Sequence, residues 1–432
     1  MAQAEYVKKI EGLIEVKNAT ATLTIDSDVT RSEIKFVFMA HDVKNDERYK
    51  VTSPSNLDLK FGDCIQVVGN VSIPKKKVSG DDGPLYNFPY REYLAKDNVY
   101  LLMTVKKMEH VSLCNPLSWY DELKLYFILQ KDKLTQIFLN EYEQPYAGLV
   151  AGVLVAGKGL LDKESLELFK MTSLSHVVVL SGSNVSLILV CIKMLVDKLF
   201  FWRKEKGVVI KVVQKIIVLI VVWAFVLLTG GGAPIYRAVV SAYCGLILFQ
   251  EKTSQVYALF VVIFIMTIIS PFQTLHDPSF HLTCAATFGL ILCTKPIDEW
   301  MRLSRLRFIP SWLREIASAT LATQVFVFPY IVYMTASFSS VFLLSNVLVL
   351  PVIPIIMLLG FLTLCSDLFG VEWLLKLVVF VNNLLLHFVF WIVGVLADVP
   401  HAYVELSKSE SIWILVGYCI VAFLIYMWHL RD

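Results

Sequence analysis

The chain is poor in charge of either sign. Asp, Glu, Lys and Arg make up 18% of its 432 residues, against about 25% in ordinary soluble domains. Thirty-nine basic side chains face 37 acidic ones, a net charge of +2 that names no acidic or basic partner. Cysteine motifs are missing as well. The eight cysteines are scattered at 64, 114, 191, 244, 284, 293, 365 and 419, with no C-x-x-C and none of the paired spacing a zinc site needs. Catalytic signatures are lacking: there is no H-E-x-x-H, no G-x-S-x-G, no Walker G-x-x-x-x-G-K-[ST] and no H-x-H-x-D-H. Ser181 and His176 do not make a serine-protease pair, because five residues on one helix put about 7.5 Å of rise between them. Residues 1–25 hold no apolar signal-peptide core.

What is present is apolar surface. The chain is 56% hydrophobic and 12% aromatic, which excludes a disordered, collagenous or ordinary cytosolic protein and marks an integral membrane protein. The two ends differ. Residues 1–110 carry 16 basic and 16 acidic side chains among short alternating apolar runs. Ile10–Val16, Ala21–Ile25, Ile34–Met39, Cys64–Ile73 and Val99–Val105 are rich in Val, Ile, Thr and Phe and bounded by turn residues, so they read as strands. Such a set fits a small closed barrel of the OB kind, and a sandwich also fits. Lys75, Lys76 and Lys77, followed by Ser79–Gly83, read as a basic loop able to touch phosphates, or as a solvated turn.

Ser118–Glu143 is polar and amphipathic and separates the two halves. Tyr146–Leu161 is apolar but short and interrupted by glycine, the pattern of a re-entrant or interfacial segment. Asp162 is placed to cap a helix with acids in its first turn. These residues define a connector over 111–172, followed by a membrane domain over 173–432.

Nine spans are expected, over 176–200, 208–229, 234–250, 255–270, 279–295, 315–336, 341–365, 373–397 and 411–430. With the first running outside to inside, the inner loops hold Lys198, Arg203, Lys204, Lys206, Lys252, Lys295, Arg302, Arg305, Arg307 and Arg314, and the outer loops hold Lys408. Ten positive charges against one place the β domain outside and the C-terminus in the cytoplasm. Export of so large a domain demands a carrier: either an upstream anchor is missing from this sequence, or insertion proceeds by a route the sequence does not show.

Polar groups inside spans need partners or a water-lined path. Arg237 follows Gly230-Gly-Gly-Ala-Pro234, an entry that reads as broken. His176, Ser181, Gly182 and Asn184 open the first span, and Pro278-Ser-Phe-His281 opens the fifth. Gln324, Asn346, Asn382, Asn383 and His387 lie within later spans, and Pro329, Pro351 and Pro354 are expected to kink or break theirs.

Together these segments resemble the ComEC/competence-protein family, the inner-membrane channel for incoming single-stranded DNA. Ser175-His176-Val-Val-Val-Leu-Ser181-Gly182-Ser183-Asn184 is similar to the family's S-H-[apolar]3-SG-L-H, and Phe169-Lys-Met-Thr172 to the helix end before it. Gly232-Ala-Pro234-Ile-Tyr-Arg237-Ala238 resembles G-x-x-P-S-x-x-R-A. Asp277-Pro278-Ser-Phe280-His281-Leu-Thr283 through Gly289-Leu290 resembles D-P-x-F-Q-L-S-x-x-A-x-x-G-L. Gln324 to Pro329 and Asn346 to Pro351 resemble its Q-x-x-x-x-P and N-x-x-x-x-P, and Asn87 to Leu94 the segment after its external domain. Ser183-Asn184 stands where the family often has Leu-His, and His281 where it has Gln.

The resemblance implies a polytopic α-helical membrane protein with an extracytoplasmic OB-like domain over a helical channel. It implies Arg237 as a phosphate contact at the outer mouth, and His176, Ser181, Asn184 and His281 as hydrogen-bond donors along the path. Gly182, Pro234, Gln324 and Asn346 line the same path, and Lys75–Lys77 give weak capture. The implied partners are single-stranded DNA, an external DNA receptor and a cytoplasmic helicase-like motor, with self-association open. The chain reads as a short form without the family's metallo-β-lactamase-like domain, so no catalytic residue, cofactor, zinc or nuclease activity is expected. A secondary transporter for a small anion and a non-transporting membrane scaffold are the alternatives.

Overall fold

A computed structural model of the chain describes residues 15–27, 29–32, 35–45, 47–54, 59–75, 89–111, 118–155, 160–178, 208–230, 239, 254–269, 271–304 and 308–429. The N-terminal part is built from β1 (Val16–Ile25), β2 (Thr30–Ser32), β3 (Lys35–Asp42), β4 (Arg48–Ser53), β5 (Cys64–Ser72) and β6 (Val99–His110). β1 pairs antiparallel with β3 and β5, β3 with β4, and β5 with β6, while β4 and β6 run parallel. Following the partners from β1 through β3, β4, β6 and β5 returns to β1, so the sheet closes into a barrel, with β2 paired onto β3. Strand alternation turns Leu23, Ile25, Phe38, Ala40, Val51, Ile65, Val67 and Met103 inward, where all are buried. Gly69 sits where β5 shifts register against β6. A Cβ there would lie 2.3 Å from the Thr104 carbonyl oxygen, so only glycine lets the two strands meet.

The strand expectations need two corrections. The stretches ending at Val16 and starting at Ala21 belong, within the described residues, to one continuous strand, and β4 was not foreseen. Arg48-Tyr-Lys-Val-Thr-Ser53 alternates charged with apolar residues, and its charges mask the inward positions Tyr49, Val51 and Ser53, all buried. Burial and the nearby Glu47, which accepts a hydrogen bond from the Tyr49 hydroxyl, push that phenol above its ordinary value.

The rest of the described chain is mostly helical. Helix α1 (Tyr90–Ala95) lies between β5 and β6. The connector forms α2 (Trp119–Glu141), α3 (Tyr146–Val155) and α4 (Lys163–Met171), then α5 (Ser175–Val178). The amide of Ser165 donates to Asp162 at 3.1 Å, so Asp162 caps α4. Burial alone would raise that carboxyl, but the hydrogen bonds of Ser165 outweigh it and hold Asp162 below the usual range. The ten residues of α3 are about 15 Å long, half the hydrocarbon thickness. Ala147–Val155 are all buried, so α3 stands inside the bundle core with Phe138, Phe169, Ile356 and Leu386.

The later helices are α6 (Val208–Leu228), α7 (Ser254–Ile269), α8 (Pro271–His276), α9 (Pro278–Leu303), α10 (Ser311–Thr335), α11 (Phe342–Val349), α12 (Ile353–Leu368), α13 (Glu372–Ala397) and α14 (Lys408–His429). Among the described residues, α9, α10 and α13 are long and apolar enough to cross a membrane. The expected single span over 341–365 is instead a pair, α11 and α12, bent by 41°. Pro351 lies in the break, and Pro354 in the first turn of α12, where its missing N–H costs nothing. The expected span over 279–295 continues through Pro296 to Leu303. Its tail is held by Arg314 Nε, 2.6 Å from Asp298 Oδ1. Helix α10 likewise runs through Pro329. The expected spans 176–200 and 234–250 lie outside the described residues except at 176–178 and 239.

Candidate functional site

Three polar nodes interrupt the apolar bundle. The first joins two distant segments, 169–176 and 342–351. The Thr172 hydroxyl donates to the Leu168 carbonyl at 2.9 Å and closes α4. The Thr172 carbonyl accepts from Ser345 Oγ of α11 at 2.6 Å, in a fully buried contact. Helix α3 reaches this node because Gly152 lacks a Cβ, which would stand 2.7 Å from the Val178 carbonyl oxygen. Beside Ser345, Asn346 is 5% exposed, and its buried Oδ1 makes no hydrogen bond among the described residues. A buried amide oxygen left without a partner costs about 1–3 kcal/mol. Asn346 stands one turn before the α11–α12 break, where Leu350 N bonds its carbonyl. His176 lies on the exposed side of α5, with Nδ1 3.2 Å from the Ser173 carbonyl.

The second node is a relay through the middle of α13. Asn382 Nδ2 donates to the Tyr142 hydroxyl at 3.0 Å, and that hydroxyl donates to Thr363 Oγ1 at 2.7 Å. The Thr363 hydroxyl in turn donates to Leu359 O at 3.0 Å. The end of α2 is thereby pinned between α12 and α13. Asn382 Oδ1 and Ser366 Oγ, both buried, are left without hydrogen bonds. Nearby on α13, His387 Nδ1 lies 3.1 Å from the Tyr146 hydroxyl.

The third node is saturated. His281 Nε2 donates to the Thr274 carbonyl at 2.9 Å, and Nδ1 accepts from the Tyr330 hydroxyl at 2.8 Å. The ring joins α8, α9 and α10. About two turns further, α9 and α10 touch backbone to backbone: a Cβ on Gly289 would lie 2.3 Å from the Ala322 carbonyl oxygen. Gln324 is half-buried on the same stretch of α10.

The structure thus brings Thr172 together with Ser345, the neighbour of Asn346, and His281 together with Tyr330, while Gln324 lies elsewhere on α10. Lys75 is exposed beyond β5, beside the Pro74 carbonyl that accepts from Arg91 Nε at 2.7 Å. Lys76, Lys77, Ser181, Gly182, Asn184, Pro234 and Arg237 lie outside the described residues. Sequence reasoning missed Tyr142, Thr363 and Tyr330 because tyrosine and threonine blend into apolar runs. Among the described residues no group of three or more His, Cys, Asp or Glu could hold a metal ion.

No curated protein and no solved structure matches the chain. A family model described as "Competence protein" matches residues 153–432. That interval begins within α3 and takes in all three polar nodes apart from Tyr142 and Tyr146. Since it covers well over half of the sequence, this multi-pass membrane chain belongs to the competence-protein family, whose role is in DNA uptake.

Proposed function

We propose that the chain is the channel by which single-stranded DNA crosses the cell's inner membrane into the cytoplasm during transformation. A strand carrying one charge per nucleotide cannot cross dry hydrocarbon, so its path needs hydrogen-bonding groups held within an apolar bundle. The observation that carries this reading is Asn346: its buried oxygen lacks a partner, beside a broken helix pair, where two segments of the family pattern meet. Arg237 contacts phosphate at the outer mouth, Pro234 opens the backbone there, and His176, Ser181, Gly182, Asn184, Gln324 and Asn346 line the way. His281, with both nitrogens engaged, braces the wall behind them.

The barrel over 1–110 is read as OB-like and extracytoplasmic, the connector over 111–172 as its link to the membrane domain over 173–432. The strand pairings support the first part, since β1–β3–β4–β6–β5 is a five-stranded ring of the kind that binds oligonucleotides. Cys64 of β5 is disulfide-bonded, which favours an oxidising compartment for the barrel. The ten-to-one excess of positive charge in the opposite loops agrees. Lys75, Lys76 and Lys77 add weak capture. Import relies on an external DNA receptor and a helicase-like motor inside, self-association is left open, and the chain does no chemistry of its own.

The test is uptake of labelled DNA by cells carrying Arg237→Gln or Asn346→Leu, with membrane abundance measured in parallel. Loss of uptake at equal abundance supports the channel. Unchanged uptake in both variants overturns it.

A further inference from the structure

The barrel does not merely precede the bundle; among the described residues the two meet at a buried ion pair. Helix α1, which belongs to the barrel, packs against α8, the short helix leading into α9. Directly after α1, the Lys96 ammonium lies 3.6 Å from Asp277 Oδ2, and the two side chains are only 8% and 2% exposed. The same ammonium stands over the Tyr93 ring, 3.9 Å from its centre. Asp277 has two tasks. Its Oδ1 accepts from the Ser279 amide at 3.1 Å and caps α9. Its Oδ2 makes no hydrogen bond, so Lys96 supplies the compensating charge.

We propose that Lys96–Asp277 is a latch that docks the barrel on the N-terminal end of α9. The latch sets where the barrel stands over the helices that carry His281 and Tyr330. Its consequence for DNA transfer rests on the channel reading; the docking itself does not. A buried pair of this kind has a recognisable signature, because stranding one charge costs far more than removing both.

Amide hydrogen exchange on the full-length chain in lipid nanodiscs reads it. Lys96→Met is expected to speed exchange in 89–97 and 271–277 by about tenfold or more, leaving β1 and β5 unchanged. Asp277→Asn is expected to do the same, because asparagine still caps α9. The double variant is expected to return most of the protection, with exchange within about threefold of the original. Unchanged exchange in both single variants, or a double variant as exposed as the sum of the two, overturns the latch. If Asp277→Asn does not fold, Lys96→Met alone decides, since it leaves the membrane helices untouched. Because exchange reads docking alone, a chain that proves not to move DNA would leave the latch standing.

Discussion

Two regions of the bundle hold polar side chains at helix contacts, and they treat them in opposite ways. At His281 every hydrogen-bonding atom of the ring is used, by Tyr330 on one side and Thr274 on the other. At Ser345–Asn346 and around Asn382, by contrast, Asn346 Oδ1, Asn382 Oδ1 and Ser366 Oγ are buried and make no hydrogen bond among the described residues. Low-dielectric surroundings strengthen a completed bond and penalise a missing one. The saturated region therefore behaves as a joint. The unsaturated one keeps buried polar atoms that make no hydrogen bond among the described residues.

The contrast can be broken or sharpened by substitution. The largest expected effect is steric and touches the joint. Gly289→Val drives a branched side chain into the Ala322 carbonyl and should separate α9 from α10, at a cost of about 3 kcal/mol or more. Thermal unfolding of the detergent-solubilised protein reads it, and an unchanged midpoint would mean the helices are not in backbone contact. Next comes the relay. Tyr142→Phe strands Asn382 Nδ2 and Thr363 and should cost about 1–3 kcal/mol, with partial recovery when Asn382→Leu is added. Additive losses would show that the three side chains do not act together.

A smaller effect is expected from Asp162→Ala, about 1 kcal/mol for a lost helix cap. Its pH dependence has a definite sign. The folded-state value of Asp162 is held below the ordinary 3.8, so its contribution is complete above that value and is lost as pH falls through the lowered one. The stability gap between Asp162→Ala and the original should therefore close on acidification below about pH 4, as read from denaturant midpoints. The smallest expected effect is His281→Gln, which keeps hydrogen bonding at the joint and should leave stability within about 1 kcal/mol. If His281→Gln instead abolished DNA uptake at full stability, the joint would belong to the path.

Much of this architecture is readable from the chain, for reasons that differ by element. The helices α9, α10 and α13 follow from apolar runs that nothing but a bilayer or a large core can bury. Asp162 announces its helix through the acids behind it. The α11–α12 break is signalled by Pro351 and Pro354, the residues expected to kink or break that span. Strand β4 was hidden because Arg48 and Lys50 occupy its outward positions and make it look like a turn. The polar nodes were half visible: Asn346, Asn382 and His281 stand out in apolar runs, but their partners Tyr142, Thr363, Ser345 and Tyr330 do not. Lys96 and Asp277 were illegible as a pair, since nothing local links two charges so far apart in the chain.

The account turns on the difference between an empty acceptor and a satisfied joint. Its most direct test compares labelled DNA uptake in cells carrying Asn346→Leu with cells carrying His281→Gln, each at the same membrane abundance as the original chain. The account predicts that uptake collapses in the first and persists in the second. Normal uptake with Asn346→Leu, or equal loss in both, would contradict it.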